Sequence, residues 1–70
     1  MADLPNAVVK RLITKHADGM RVAGDAIDKA VAAAEDYVAR LAREAHALAV
    51  ADKRKTIMES DIVQARSRVS

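Results

Sequence analysis

The chain has 70 residues, with 12 lysines and arginines against 10 aspartates and glutamates and a formal net charge of +2. That length allows a single small domain, residues 1–70. The absence of cysteine excludes a disulfide frame, a thiolate metal site and a thiol nucleophile. Alanine and valine supply much of the 51% hydrophobic share, and Tyr37 is the only aromatic. A core built from such small side chains buries little area. Chains of this size commonly gain stability by sharing a core with another copy.

Residues 1–3 read as a frayed start, with Asp3 as the expected N-cap and Pro5 near the first helical turn, where its missing N–H costs little. From Pro5 to about His16, Val8, Val9, Leu12 and Ile13 follow helical spacing, while Lys10, Arg11 and Lys15 take the other sides. This is a short amphipathic helix. Asp18-Gly19 reads as its stop, with Gly19 in the left-handed cap conformation. Met20, Arg21 and Val22 make a brief extended linker.

Residues 25–51 contain neither Gly nor Pro and are dominated by strong helix formers. Gly24 is the expected N-cap, and Asp25 and Asp28 suit the positive end of the helix dipole. Ile27, Val31, Ala34, Val38, Leu41, Ala45 and Leu48 recur in alternating steps of four and three. This is a sustained apolar seam with a period near 3.5. A helix of roughly 27 residues is about 40 Å long, more than the rest of the chain can wrap. The seam therefore calls for a second chain, with Ile27, Val31, Val38, Leu41 and Leu48 as the core of a dimer. The charge pairs Asp25–Lys29, Asp36–Arg40 and Arg40–Glu44, each four apart, mark a solvated face.

After Ala51-Asp52 come three adjacent cations, Lys53, Arg54 and Lys55, and then Thr56-Ile57. Thr56 followed by Glu59 fits a capping box. A third helix is expected from Ile57 or Met58 to Arg68, with Ile62, Ala65 and Val69 on one side. The class is all-α: short helix, linker, long helix, linker, short helix, with no internal repeat.

Enzymatic readings find no support. There is no phosphate-cradling glycine loop, no paired histidine on a helix and no serine in a nucleophile setting. No cofactor, metal site or small-molecule substrate is expected. His16 lies near the C-terminal end of the first helix, where a cation suits the dipole, and His46, next to the seam, reads as a packed or rim histidine. No apolar run approaches a membrane span and no signal-peptide layout is present, so a soluble, cytoplasmic protein is expected. With one aromatic residue, no stacking platform for single strands can form.

A KRK triplet is usually only a solvated basic turn. Here it falls where the long helix stops, so a fixed scaffold presents it. Arg54 and Asp61 are spaced so that the third helix can join them, leaving Lys53 and Lys55 outward. In an antiparallel dimer along the seam, the first linker of one chain adjoins the second linker of the other. Arg21 then meets Lys53, Lys55 and Thr56 of the second copy, and Lys10, Arg11 and Lys15 extend the basic track. Such a ridge suits duplex phosphates, and a sequence pI near 9.3 fits a polyanionic partner.

Leu4-Pro5, Arg21-Val22, Asp25-Ala26, Arg54-Lys55-Thr56-Ile57 and Asp61-Ile62 together resemble the histone fold, and most of all the tail-less archaeal-type histones. The resemblance spans nearly the whole chain. It implies a head-to-tail handshake homodimer that binds the outside of bent double-stranded DNA. Arg21 resembles the arginine that enters the minor groove, Thr56 the threonine that orients it from the partner chain, and Lys55 a phosphate contact. Arg54 and Asp61 resemble the arginine–aspartate clamp. Leu48 and Asp61 also match a dimer–dimer contact of the family, but Ala51 stands where a histidine is usual, leaving dimer and tetramer both open. The expected function is a nucleoid- or chromosome-associated protein that bends or compacts DNA with little sequence preference. The rival is a histone-fold assembly subunit that pairs with a different protein and has no DNA role.

Overall fold

The computed structural model describes residues 4–69. It contains three helices, α1 (Asn6–His16), α2 (Gly24–Ala51) and α3 (Glu59–Arg68), and no strand among the described residues. The all-α reading and the order short, long, short hold. The expected N-cap Asp3 lies outside the described residues. The chain forms two compact units, Met1–Asp36 and Tyr37–Ser70.

In the first unit, Pro5 is the N-cap of α1, with φ −64° and ψ 128°. Its carbonyl accepts the Val9 N–H at 3.3 Å. Proline suits this position because its ring pre-sets φ and the absent N–H would have been an orphan. Two hydrogen bonds tie the start of α1 to α2. The Leu4 N–H donates to Glu35 Oε2 at 3.1 Å, and Asn6 Nδ2 donates to Asp28 Oδ1 at 3.2 Å. Asp28, Val31 and Glu35 lie three and four apart, on one helix face. Val31 thus sits between the two ties and is only 2% exposed.

The end of α1 has the expected left-handed Gly19, with one addition. Asp18 (φ 58°) and Gly19 (φ 80°) are both left-handed, so the turn is not made by glycine alone. Asp18 occupies the position just past the cap, where aspartate is one of the few L-residues that tolerate this region. The Gly19 N–H donates to Thr14 O at 2.9 Å and the Met20 N–H to Ala17 O at 3.1 Å, which satisfies carbonyls the helix end leaves open. Gly24 is not the N-cap of α2. The Ala23 carbonyl accepts the Ile27 N–H at 3.1 Å, which makes Ala23 the cap and Gly24 the first helical residue.

In the second unit, α2 ends at Ala51 in a Schellman motif. The Arg54 N–H bonds Ala49 O and the Lys53 N–H bonds Val50 O, both at 2.9 Å, with Lys53 left-handed at φ 57°. The N-cap of α3 is Met58, two residues after the expected Thr56. The capping carboxylate is correspondingly Asp61, not Glu59: Asp61 Oδ2 accepts the Met58 N–H at 2.8 Å. Ala45, Ala49, Ala65 and Val69 form the buried core of this unit. Three alanines with almost no exposed surface require the helix backbones to approach closely, which larger side chains would prevent.

Candidate nucleic-acid interface

The basic turn of the second unit is built around Arg54. Nε donates to Asp52 Oδ2 at 2.8 Å. Nη1 donates to the Thr56 carbonyl at 3.0 Å and to Asp61 Oδ2 at 2.7 Å. Nη2 donates to Asp61 Oδ1, also at 2.7 Å. Four of the five guanidinium donors are therefore used, and the contact with Asp61 is the bidentate fork that makes arginine–carboxylate pairs strong and directional. Asp61 is buried and Asp52 exposed, so Asp61 is the anchor. Hydrogen bonds from Arg54, then from the Met58 N–H, outweigh desolvation and hold the Asp61 carboxyl at about 2, below its ordinary 3.8. The same pairing raises the Arg54 pKa, with the Asp61 hydrogen bond the main cause and Asp52 second. Asp61 thus performs two tasks: it caps α3 and it fixes the turn.

This arrangement spends one cation on structure and turns its neighbours outward. Lys53, Lys55 and Thr56 are all exposed, on a backbone held by the Schellman bonds before Arg54 and by the Arg54–Thr56 contact after it. The chain order alone does not reveal the Asp52 contact. The spacing Asp52-x-Arg54, with both side chains just past a helix end, is the signal that could have found it.

In the first unit, Arg21 is exposed in the linker before α2, and Lys10, Arg11 and Lys15 are exposed on α1. The last three share one helix face with Ala7 and Thr14, and together these five residues line an open groove of about 450 Å³. Their spacing of three, one, three and one follows from 3.6 residues per turn. Each unit therefore carries its own cations.

The five proposed seam residues have unequal surroundings. Ile27 and Val31 are buried within the chain, and Leu41 and Leu48 are half-buried. Val38 is 55% exposed, although it shares a helix face with buried Ala45 and Ala49. Val38 is thus the seam position with the most apolar surface left to cover. His16 and His46 are both exposed. Among the described residues, no cluster of histidine and carboxylate groups is placed to hold a metal ion, and no helix is long and apolar enough to cross a membrane.

A short, a long and a short helix, with a clamped basic turn between the last two, define a small histone-fold protein. The chain belongs to the family described as histone-like transcription factor (CBF/NF-Y) and archaeal histone, whose model matches residues 2–65. This is a structural, DNA-binding family associated with chromatin. No solved structure matches the chain.

Proposed function

We propose that two copies of this chain pair head to tail along α2 and bind double-stranded DNA with little sequence preference, bending or compacting it as a nucleoid protein. In this reading the chain is one histone-fold domain. Arg21 enters the minor groove, Thr56 of the other copy orients it, and Lys53 and Lys55 contact phosphates. Lys10, Arg11 and Lys15 extend the track along α1. The observation that carries the reading is the Arg54 clamp. It satisfies one cation internally and leaves the lysines on either side exposed on a fixed turn. A preorganised cationic turn loses less conformational freedom when it meets a phosphate backbone.

Affinity then comes mainly from counterion release. If a dimer neutralises about six phosphates, log K falls against log salt with a slope of about −5. The test is retardation of random-sequence duplexes at fixed salt by the wild type and by Arg21→Ala and Lys55→Ala. Both variants should bind more weakly to all sequences. Affinities equal to wild type would remove the proposed track.

The second reading is an assembly subunit that pairs with a different histone-fold chain. Exposed Val50, Ile57, Met58 and Val63 in the second unit favour it, since each offers apolar surface to a protein. Purification separates the two. A self-associating chain that retards duplex DNA supports the first, whereas a chain that stays aggregated until another protein is added supports the second.

A further inference from the structure

Asp52 is an acid where the fold has little use for one. It follows the last residue of α2, Ala51, and a carboxylate there opposes the helix dipole. It also stands beside exposed Lys53, in the run of cations that the DNA-binding reading aims at phosphates. The clamp does not need it, because Asp61 holds the Arg54 guanidinium by its end, through Nη1 and Nη2. Asp52 instead takes the side edge, accepting from Nε at 2.8 Å. The other donor on that edge is the second Nη2 hydrogen, which the planar group sets beside the Nε–H. Among the described residues it has no acceptor. The side edge of Arg54 is thus a two-pronged anion site that one carboxylate oxygen half fills. That carboxylate is loosely kept: its side chain is 73% exposed, against 4% for Asp61, and exposed ion pairs contribute little. The linker that the head-to-tail pairing brings to this turn carries Arg21, so a second copy adds positive charge beside the edge.

We propose that Asp52 is a built-in stand-in for a DNA phosphate, which displaces it from the side edge of Arg54 when duplex binds. This rests on the DNA-binding reading and deepens it: Arg54 meets phosphate with its side edge while its end stays on Asp61. A phosphate offers two oxygens to the two parallel donors, where Asp52 uses one, so the exchange gains a charge-assisted bond. The freed carboxylate then stays beside the bound phosphate and repels it. Asp52 therefore restrains affinity. The turn holds DNA less tightly than its cations alone would, which suits a binder that must release and rebind.

The test compares the full chain with Asp52→Ala and Asp52→Asn on random-sequence duplex at fixed salt, following the Arg54 Nε–H by nitrogen–proton NMR. In the free wild type this proton is held by Asp52, and its signal should move when duplex is added. In free Asp52→Ala it should exchange with water faster, and with duplex it should come to the position seen in the wild-type complex. Asp52→Ala should bind about two- to fivefold tighter, the range that releasing an exposed ion pair allows. Asp52→Asn, which keeps an acceptor without the charge, should fall between. Both should melt close to wild type, because Asp61 keeps the clamp. An Nε–H signal that duplex leaves in place would overturn the stand-in even if the variants bound more tightly, since repulsion alone would then explain the gain. Weaker binding by Asp52→Ala would overturn it too, as would loss of self-association, which would make Asp52 an interface residue. A wild type that retards no duplex would defeat the DNA reading itself. Retardation with an unmoved Arg54 signal defeats only the stand-in.

Discussion

Replacing Lys53 by glycine should make the protein more stable and a weaker DNA binder at once. Lys53 sits just past the cap of α2 with φ 57°, in a Schellman turn closed by its own N–H and that of Arg54. A left-handed conformation costs an L-residue roughly 1–2 kcal/mol. Glycine removes that cost but gives back roughly 0.5–1 kcal/mol in unfolded-state entropy. The net gain lies between about 0 and 1.5 kcal/mol, and about 1 kcal/mol raises Tm by about 4–8 °C in a domain of this size. The same change deletes one exposed cation per copy. If each copy loses one phosphate contact, the log K–log salt slope of a dimer becomes less steep by about 1.8. The assays are thermal melting by circular dichroism at one fixed protein concentration, since self-association makes Tm concentration-dependent, and duplex retardation across a salt series. Lys53→Asn is the control: asparagine tolerates the left-handed region but carries no charge, so it should lose the same slope with a smaller rise in Tm. A lower Tm for Lys53→Gly would refute the strain argument. Superimposable salt slopes would refute the contact.

Asp61→Asn should flatten the acid limb of stability. The folded carboxyl titrates at about 2 against an ordinary 3.8, so its contribution is complete above about pH 4 and drains away as pH falls toward 2. Equal acid melting of variant and wild type would remove that role. Gly19→Ala meets no neighbouring atom but keeps φ +80°, so strain alone should cost about 1 kcal/mol, whereas Gly24→Ala, open and without positive φ, should gain about 0.5 kcal/mol. Paired melting curves that move in the same direction would contradict this. Val38→Asp, at the exposed centre of the seam, should abolish self-association in sedimentation. A variant that still dimerises would place the interface elsewhere.

The three helices and their order were legible because they follow from composition and period. A stretch of strong helix formers without glycine or proline, flanked by Asp18-Gly19 on one side and a run of cations on the other, has few alternatives. The seam was legible as a pattern but not as an environment. Its spacing treats Val31 and Val38 alike, yet one is nearly sealed and the other more than half exposed. What separates them is the pair of ties from Leu4 and Asn6 to Glu35 and Asp28, which bring the start of α1 over Val31. Those ties span 31 and 22 residues, beyond the reach of any local period.

The start of α3 shows the same limit from the chemical side. Thr56 and Glu59 satisfy the local rule for a capping box, and Met58 does not. The helix nevertheless begins at Met58, because Asp61 is the carboxylate fixed in place. Arg54 grips it with two donors, so the oxygen facing the first turn is already positioned, and the N–H that meets it belongs to Met58. Here the ion pair outranks the Thr56–Glu59 cap because it pre-sets the acceptor, and its charge-assisted bonds are about twice as strong as neutral ones. The consequence reaches the interface. The carboxylate that decides where α3 starts also decides how the guanidinium lies, and the guanidinium holds the Thr56 carbonyl. The backbone around exposed Lys55, between Arg54 and Thr56, is therefore held by a buried carboxylate seven residues from the guanidinium it grips.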